Sequence, residues 1–336
     1  MNNSISQIFT LVILTILLPA SLSSCSGHDE PNLPKVTPQI VFLFSPGGLG
    51  DMSYNDCILE GVQHFKKENP GVDLFMYSPD KFEESEKIFT DWVARPASDI
   101  PVLFVFASSD YDELVTRELT DITLPPNKRV LVFESRKHFG EGVSSFQICM
   151  YGASYLAGVT AAEACGDSEA LVVLANASDS PIALARDGFC NGFGRECKVE
   201  YLADDWTGYT SAALAYRKMA EWATSYGFIF PMAGGSNSGI YRYSREFDRC
   251  PLLAGIDTDQ SALSNYITGC VIKHIDKLIY KYLSEWLVSK ELPVSKVYDL
   301  ESGYIYWELA PAYESQFKNI VESHRQEAIN KEKGIL

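Results

Sequence analysis

From residue 39 onward the chain alternates short apolar runs with longer segments of helical spacing. Ile40–Phe44, Leu74–Tyr77, Val102–Phe106 and Val130–Phe133 have strand length and no polar break. Strands apolar at consecutive positions are covered on both faces, as in parallel sheets. After Ser53, the residues Ile58, Val62 and Phe65 fall on one helical face, and Ser53 with Asp56 forms an S-x-x-D signal that predicts the helix cap. The pattern restarts after Cys149. It predicts helices over Tyr151–Cys165, Ile182–Arg195 and Ser211–Thr224, with strands at Ala170–Leu174, Val199–Leu202, Phe228–Met232 and Leu252–Ile256. A further apolar pair, Val271–Ile272, precedes a helix over Asp276–Val288, and a polar helix begins near Ala312. Strand–helix alternation is the signature of βαβ units. The expected fold is α/β: two doubly wound parallel-sheet lobes joined by a hinge, with a cleft between them. Residues 39–148 plus 274–300 make the N-terminal lobe, and 149–273 plus 301–336 the C-terminal lobe. Ligands of such sheets bind at the carboxyl ends of strands, and hinge closure traps them.

Charge narrows the partners. With 44 acidic and 28 basic residues, the net charge of −16 disfavours nucleic acid and anionic lipid surfaces, which reward basic patches. Residues 1–24 read as a signal peptide. Ile8–Leu18 is too short to span a bilayer and has the length of a signal h-region, although a basic n-region is missing. Leu22-Ser23-Ser24-Cys25 resembles a bacterial lipobox, which makes Cys25 the expected lipidation site. Residues 25–38, polar and proline-bearing, then form a tether. The protein is expected in the cell envelope, held to the membrane by lipid at Cys25 and facing the periplasm or the cell surface.

Seven cysteines follow Cys25, an odd number, so at least one stays unpaired. Cys190 and Cys197, placed on one helix, would lie about 10 Å apart, beyond bridging distance. The five histidines are scattered and show no metal-ligand spacing, so neither a metal nor a cofactor is expected.

The candidate chemistry begins with the loop "SPGGLGDMSYND" after the first strand. Three glycines ahead of a helix could cradle a phosphate, but the Walker lysine is absent and Asp51 would repel an anion. A loop that merely turns the chain is the plainer reading. Tyr54 and Asn55 at the helix mouth suit a neutral polar ring better.

"GLGDMSYNDCILEG" resembles the Asp-x-Ser-Phe-Asn…Glu-Gly signature of the basic membrane protein family, lipoproteins related to purine nucleoside receptors of ABC importers. "YGASYLAGVTAA", "AGIDTDQS" and "CVIKHID" are similar to further segments of that family, in the same order. The resemblance covers roughly residues 38 to 290 and implies a type I periplasmic-binding-protein fold. It places Tyr54 on the aromatic that stacks on the base, Asp257 on the carboxylate that grips ribose hydroxyls, and Lys273 on the lysine near the hinge. Trp206 falls, by a looser match, on a second stacking aromatic. The family usually carries an acid or amide directly after the first strand, where a base edge is read. Here Ser45 and Pro46 stand there, and "ASSDYD" lacks the family's Gly-x-Gly character. The chemistry is consistent: aromatics sandwich a purine, and a carboxylate accepts both protons of a vicinal diol.

The leading expectation is therefore a non-catalytic, lipid-anchored receptor that captures a nucleoside, purine favoured, for an ABC permease, through Ser45, Tyr54, Asn55, Trp206, Asp257 and Lys273. Two alternatives stay open. One is a surface-exposed binding lipoprotein with another ligand; Asp29 and Glu30 after Cys25 faintly resemble a surface-export signal. The other is a nucleoside hydrolase, which would need a poised acid–base pair such as Asp51 and Asp257.

Overall fold

The structure, a computed structural model, describes residues 36–46, 48–177 and 180–336. The expected signal peptide, most of the tether and Cys25 lie outside the described residues.

The N-terminal stretch contains β1 (Gln39–Leu43), α1 (Tyr54–Glu68), β2 (Asp73–Tyr77), α2 (Phe82–Ala94), β3 (Val102–Phe106), α3 (Asp112–Leu119), β4 (Lys128–Phe133) and β5 (Val143–Ile148). Next come α4 (Tyr151–Cys165), β6 (Ala170–Leu174), α5 (Ser180–Phe193), β7 (Cys197–Tyr201), α6 (Ala212–Ser225) and β8 (Phe228–Met232). The chain continues through α7 (Asn237–Glu246), β9 (Leu252–Asp257), β10 (Ile267–Lys273) and α8 (Ile275–Ser289). It closes with β11 (Lys296–Tyr298), β12 (Ile305–Leu309) and α9 (Glu314–Lys333).

Two six-stranded sheets result, ordered β11-β5-β4-β3-β1-β2 and β12-β10-β9-β8-β6-β7. Their strands pair in parallel except β12, which runs antiparallel to β10. Two-sided cover explains the apolar runs of β1, β3, β4, β6 and β8, but not Leu74–Tyr77: β2 is an edge strand, and its Phe75, Met76 and Tyr77 are exposed. In β1, Ile40 and Phe42 face the core shared with α1 and α8, while Val41 and Leu43 face Phe89, Trp92 and Val115 of α2 and α3. In β6, Ala170, Val172 and Leu174 face α4 and α5, while Leu171 and Val173 face α6 and α7. Both expected doubly wound sheets are present.

α4 is apolar all round because it is buried between its sheet, α5 and α9. Its approach to α5 is set by glycine. A Cβ on Gly158 would sit 2.1 Å from the Phe189 carbonyl oxygen, and one on Gly192 would sit 1.9 Å from that of Tyr155.

The chain passes between the sheets three times, after β5, after β10 and between β11 and β12. The buried carboxylate of Glu332 on α9 ties two of these passages. It accepts the Gly152 amide at 2.9 Å and the Leu300 amide at 2.8 Å. The third passage is pinned where the His274 amide donates to the Tyr304 carbonyl at 2.8 Å.

One sequence expectation is corrected here. Cys190 and Cys197 do not share a helix: α5 ends at Phe193 and Cys197 opens β7.

Candidate functional site

The cleft loop is built by two of its own acids. Asp51 accepts the amides of Ser53 at 2.9 Å, Asn55 at 3.0 Å and Asp56 at 3.3 Å, and also the Asn55 side-chain amide at 3.0 Å. Asp56 reaches back to the amides of Gly50 and Met52, at 2.7 and 2.8 Å. Asp51 therefore satisfies the open N-terminus of α1. The predicted Ser53 cap does not form; the Ser53 hydroxyl instead donates to Asp257 Oδ2 at 2.6 Å. Burial pushes the Asp51 carboxyl up, against the hydrogen bonds from Asn55 and Ser53 that hold it down. A phosphate at this loop would meet amides already bonded to carboxylates.

Two carboxylates close the opposite side. Asp257 ends β9 with φ of +69°, and Glu134 follows β4 with φ of +56°. Met52, in the cleft loop, has φ of +52°. Left-handed backbone at residues other than glycine costs about 1–3 kcal/mol and gathers at functional sites. Glu134 and Asp257 both line one cavity, whereas a fourth such residue, Lys290, ends α8.

Lys273 joins the two acids. Only 4% exposed, its ammonium lies 2.9 Å from Glu134 Oε1 and 3.6 Å from Asp257 Oδ1. It also sits 4.4 Å from the centre of the Tyr54 ring, a cation–π contact. Glu134 further accepts the Ile148 amide at 3.0 Å, which fixes it to the first interlobe passage. Burial raises the Glu134 carboxyl above the usual carboxylate range, and the Lys273 ammonium opposes that rise.

The aromatics are positioned in turn. The Tyr54 hydroxyl donates to the Ala107 carbonyl at 3.0 Å. Trp206, in a short 3-10 turn, stacks on Tyr209 with ring centres 5.5 Å apart and meets Phe82 of the other lobe at 6.1 Å. Asn55 is buried, its amide nitrogen on Asp51 and its Oδ1 unmatched. Such an atom is rare in folded proteins.

Ser45, Tyr54, Asn55, Trp206, Asp257 and Lys273 all line one cavity of about 320 Å³, within the size range of small-molecule sites. Ser108 and Asp110 of the "ASSDYD" segment line it too. Sequence reasoning missed Glu134 and Tyr209. Glu134 follows the apolar run Val130–Phe133 as Asp257 follows Leu252–Ile256, so an acid at the end of a buried strand was the available signal.

The family described as ABC transporter substrate-binding protein, PnrA-like, matches residues 39–335. The chain belongs to this family. As a PnrA-like substrate-binding protein it is a receptor, not an enzyme. It takes a small-molecule ligand, works with an ABC permease and acts outside the cytoplasm. No curated protein matches the chain. Among solved structures it is similar to an ABC transporter solute-binding protein from Aeropyrum pernix K1. That match has a TM-score of 0.65, 17% identity, and covers 89% of each chain. A solute-binding protein from Burkholderia graminis C4D1M in complex with D-arabinose matches with a TM-score of 0.60 at 13% identity, over 84% of this chain and 98% of that one. A transcriptional activator from Bacillus halodurans matches with a TM-score of 0.61 at 16% identity, over 86% and 98%. At these identities the likeness is one of fold, the type I periplasmic-binding-protein architecture.

Among the described residues no group of His, Cys, Asp and Glu could hold a metal, and no helix is long and apolar enough to cross a membrane.

Proposed function

We propose that the cleft captures a nucleoside, with purine nucleosides favoured, and delivers it to an ABC importer. The observation that carries this reading is the joint arrangement of Tyr54, Trp206 and Asp257 around one cavity. The aromatics come from different lobes and suit a flat ring, and Asp257 suits a diol. Family membership supports the same class. The Asp51 and Asp56 bonds to the loop amides weigh against a phosphate and so against nucleotides. Asn55 lines the cavity with its side-chain amide held by Asp51, in a chain that has Ser45 and Pro46 where the family reads a base edge.

Purine nucleosides are expected to raise the melting temperature more than bases, nucleotides or free sugars do. A ligand at a hundredfold excess over Kd adds about 2.7 kcal/mol to the native state. A thermal-shift panel in which sugars stabilise and nucleosides do not would assign the cleft to sugars instead.

We further propose that Cys25 carries the lipid anchor after removal of residues 1–24, with the following residues as tether. More than one acyl chain is needed for stable attachment. Cys25→Ser is expected to move the protein from the detergent phase to the aqueous phase. Equal partitioning of variant and wild type would remove the anchor from this residue.

A further inference from the structure

Phe82 opens α2 and is not among the residues that line the cavity. Its ring nevertheless meets Trp206 of the other lobe, with centres 6.1 Å apart and planes tilted by 55°. Both rings sit on built seats. Phe82 lies 5.5 Å from the ring of Tyr111, which is wholly buried and whose hydroxyl donates to the Phe44 carbonyl at 2.6 Å. The buried Ser85 hydroxyl, three residues further along α2, is 3.1 Å from the same Tyr111 oxygen. Across the cleft, Trp206 stacks on Tyr209, and their short turn is tied down by bonds of its own. Asp205 accepts the Thr207 amide at 2.9 Å. The buried Ser236 hydroxyl donates to the Gly208 carbonyl and accepts the Ser211 amide, both at 2.6 Å.

The order of the strands places this contact. The interlobe passages start and end on β5, β11, β10 and β12, which occupy one side of each sheet. β2, which leads into α2, and β7, which leads into the Trp206 turn, are the opposite edges. β2 is four strands from β5, and β7 is four strands from β10, about 19 Å at the ordinary spacing of strands. The two rings therefore meet at the mouth of the cleft. Rotation of the lobes about the passages moves them apart further than it moves groups beside the hinge, such as Glu134 and Lys273.

We propose that Phe82 is a positioning residue that latches the mouth of the cleft: it fastens Trp206 across the lobes, and a captured molecule leaves only after the two rings part. The inference rests on the receptor role of the chain and not on which ligand it takes. Loss of one aromatic pair shifts an equilibrium by about twofold to tenfold. The shift belongs to the closed state, so it should appear in ligand release more than in capture.

The test reads lobe closure first, by small-angle X-ray scattering from the full chain with no ligand added. Phe82→Leu keeps an apolar cover over Tyr111 but loses the ring, and is expected to enlarge the radius of gyration. Phe82→Tyr keeps the ring and should match wild type. Trp206→Leu, at an exposed turn, should enlarge the radius as Phe82→Leu does, and Phe82→Leu added to it should change nothing more, because the partner is already gone. An unchanged radius in both single variants overturns the latch. Increases that simply add in the double variant also overturn it, and assign Phe82 to the packing of its own lobe. Release is read next, with adenosine as the probe chased from each variant by stopped flow. Phe82→Leu is expected to release it about twofold to tenfold faster, and Phe82→Tyr at the wild-type rate; equal rates in all three overturn the proposal. If adenosine does not bind wild type, the nucleoside reading fails, and the scattering still decides the latch.

Discussion

Lys273→Met is expected to destabilise the fold by about 3–5 kcal/mol, the usual cost of removing one partner from a buried ion pair. The reason lies in what is left behind. Glu134 and Asp257 would face each other across a buried space with no cation between them. The loss should depend on pH, and its sign follows from Glu134. Its carboxyl is raised above the ordinary value by burial, and without Lys273 it would rise further. A carboxyl whose folded pKa exceeds its unfolded pKa binds its proton more tightly in the native state. The stability linked to it is therefore full below the unfolded pKa and drains away as the pH rises through the folded one. Chemical denaturation of the variant should thus show a smaller deficit in mild acid than above neutrality. Glu134→Gln in the same background should recover part of the deficit at high pH. A deficit that is independent of pH and untouched by Glu134→Gln would mean that Lys273 contributes only packing.

Asp257→Ala is expected to weaken nucleoside binding by roughly tenfold to over a hundredfold, because a hydrogen bond to a charged group is worth about 1.5–3 kcal/mol. Preference for ribose over 2′,3′-dideoxyribose nucleosides should nearly vanish with it. The left-handed backbone at this position makes Asp257→Asn the gentler control, since asparagine tolerates that conformation as aspartate does. Tyr54→Ala should weaken both analogues alike, since stacking does not sense the sugar. Calorimetric titration in which Asp257→Ala keeps the full ribose preference would move the diol contact to another residue.

The parts of the fold that could be read from sequence are those where burial on two faces leaves no choice of residue. β1, β3, β6 and β8 are unbroken apolar runs for this reason. β5 was not legible because Ser144, Ser145 and Gln147 interrupt it. These residues are nevertheless buried, and the serines find partners in residues 293–295, far away in sequence. β11 and β12 are short returns that only the finished sheets explain. In the cleft, Tyr54 and Asp257 were legible because each stands in a segment with family likeness. The role of Ser53 was misread because local spacing sees only local partners, and its hydroxyl bonds a residue 204 positions away. Glu134 was hidden for the same reason: its partner Lys273 comes from the other sheet.

That long-range bond has a consequence for selectivity. The Ser53 hydroxyl occupies Asp257 Oδ2 as a sugar hydroxyl would, so the chain carries its own competitor. A ligand offering a single hydroxyl would merely exchange one O–H donor for another at this oxygen and gain little. A vicinal diol brings two donors against one, and the surplus is what the carboxylate can reward. While Ser53 holds the position, the apparent affinity is the intrinsic affinity scaled by the fraction of molecules in which it has let go. Ser53→Ala would therefore bind more tightly and discriminate less. Under the proposed diol contact, selectivity would then come from Ser53 as much as from Asp257.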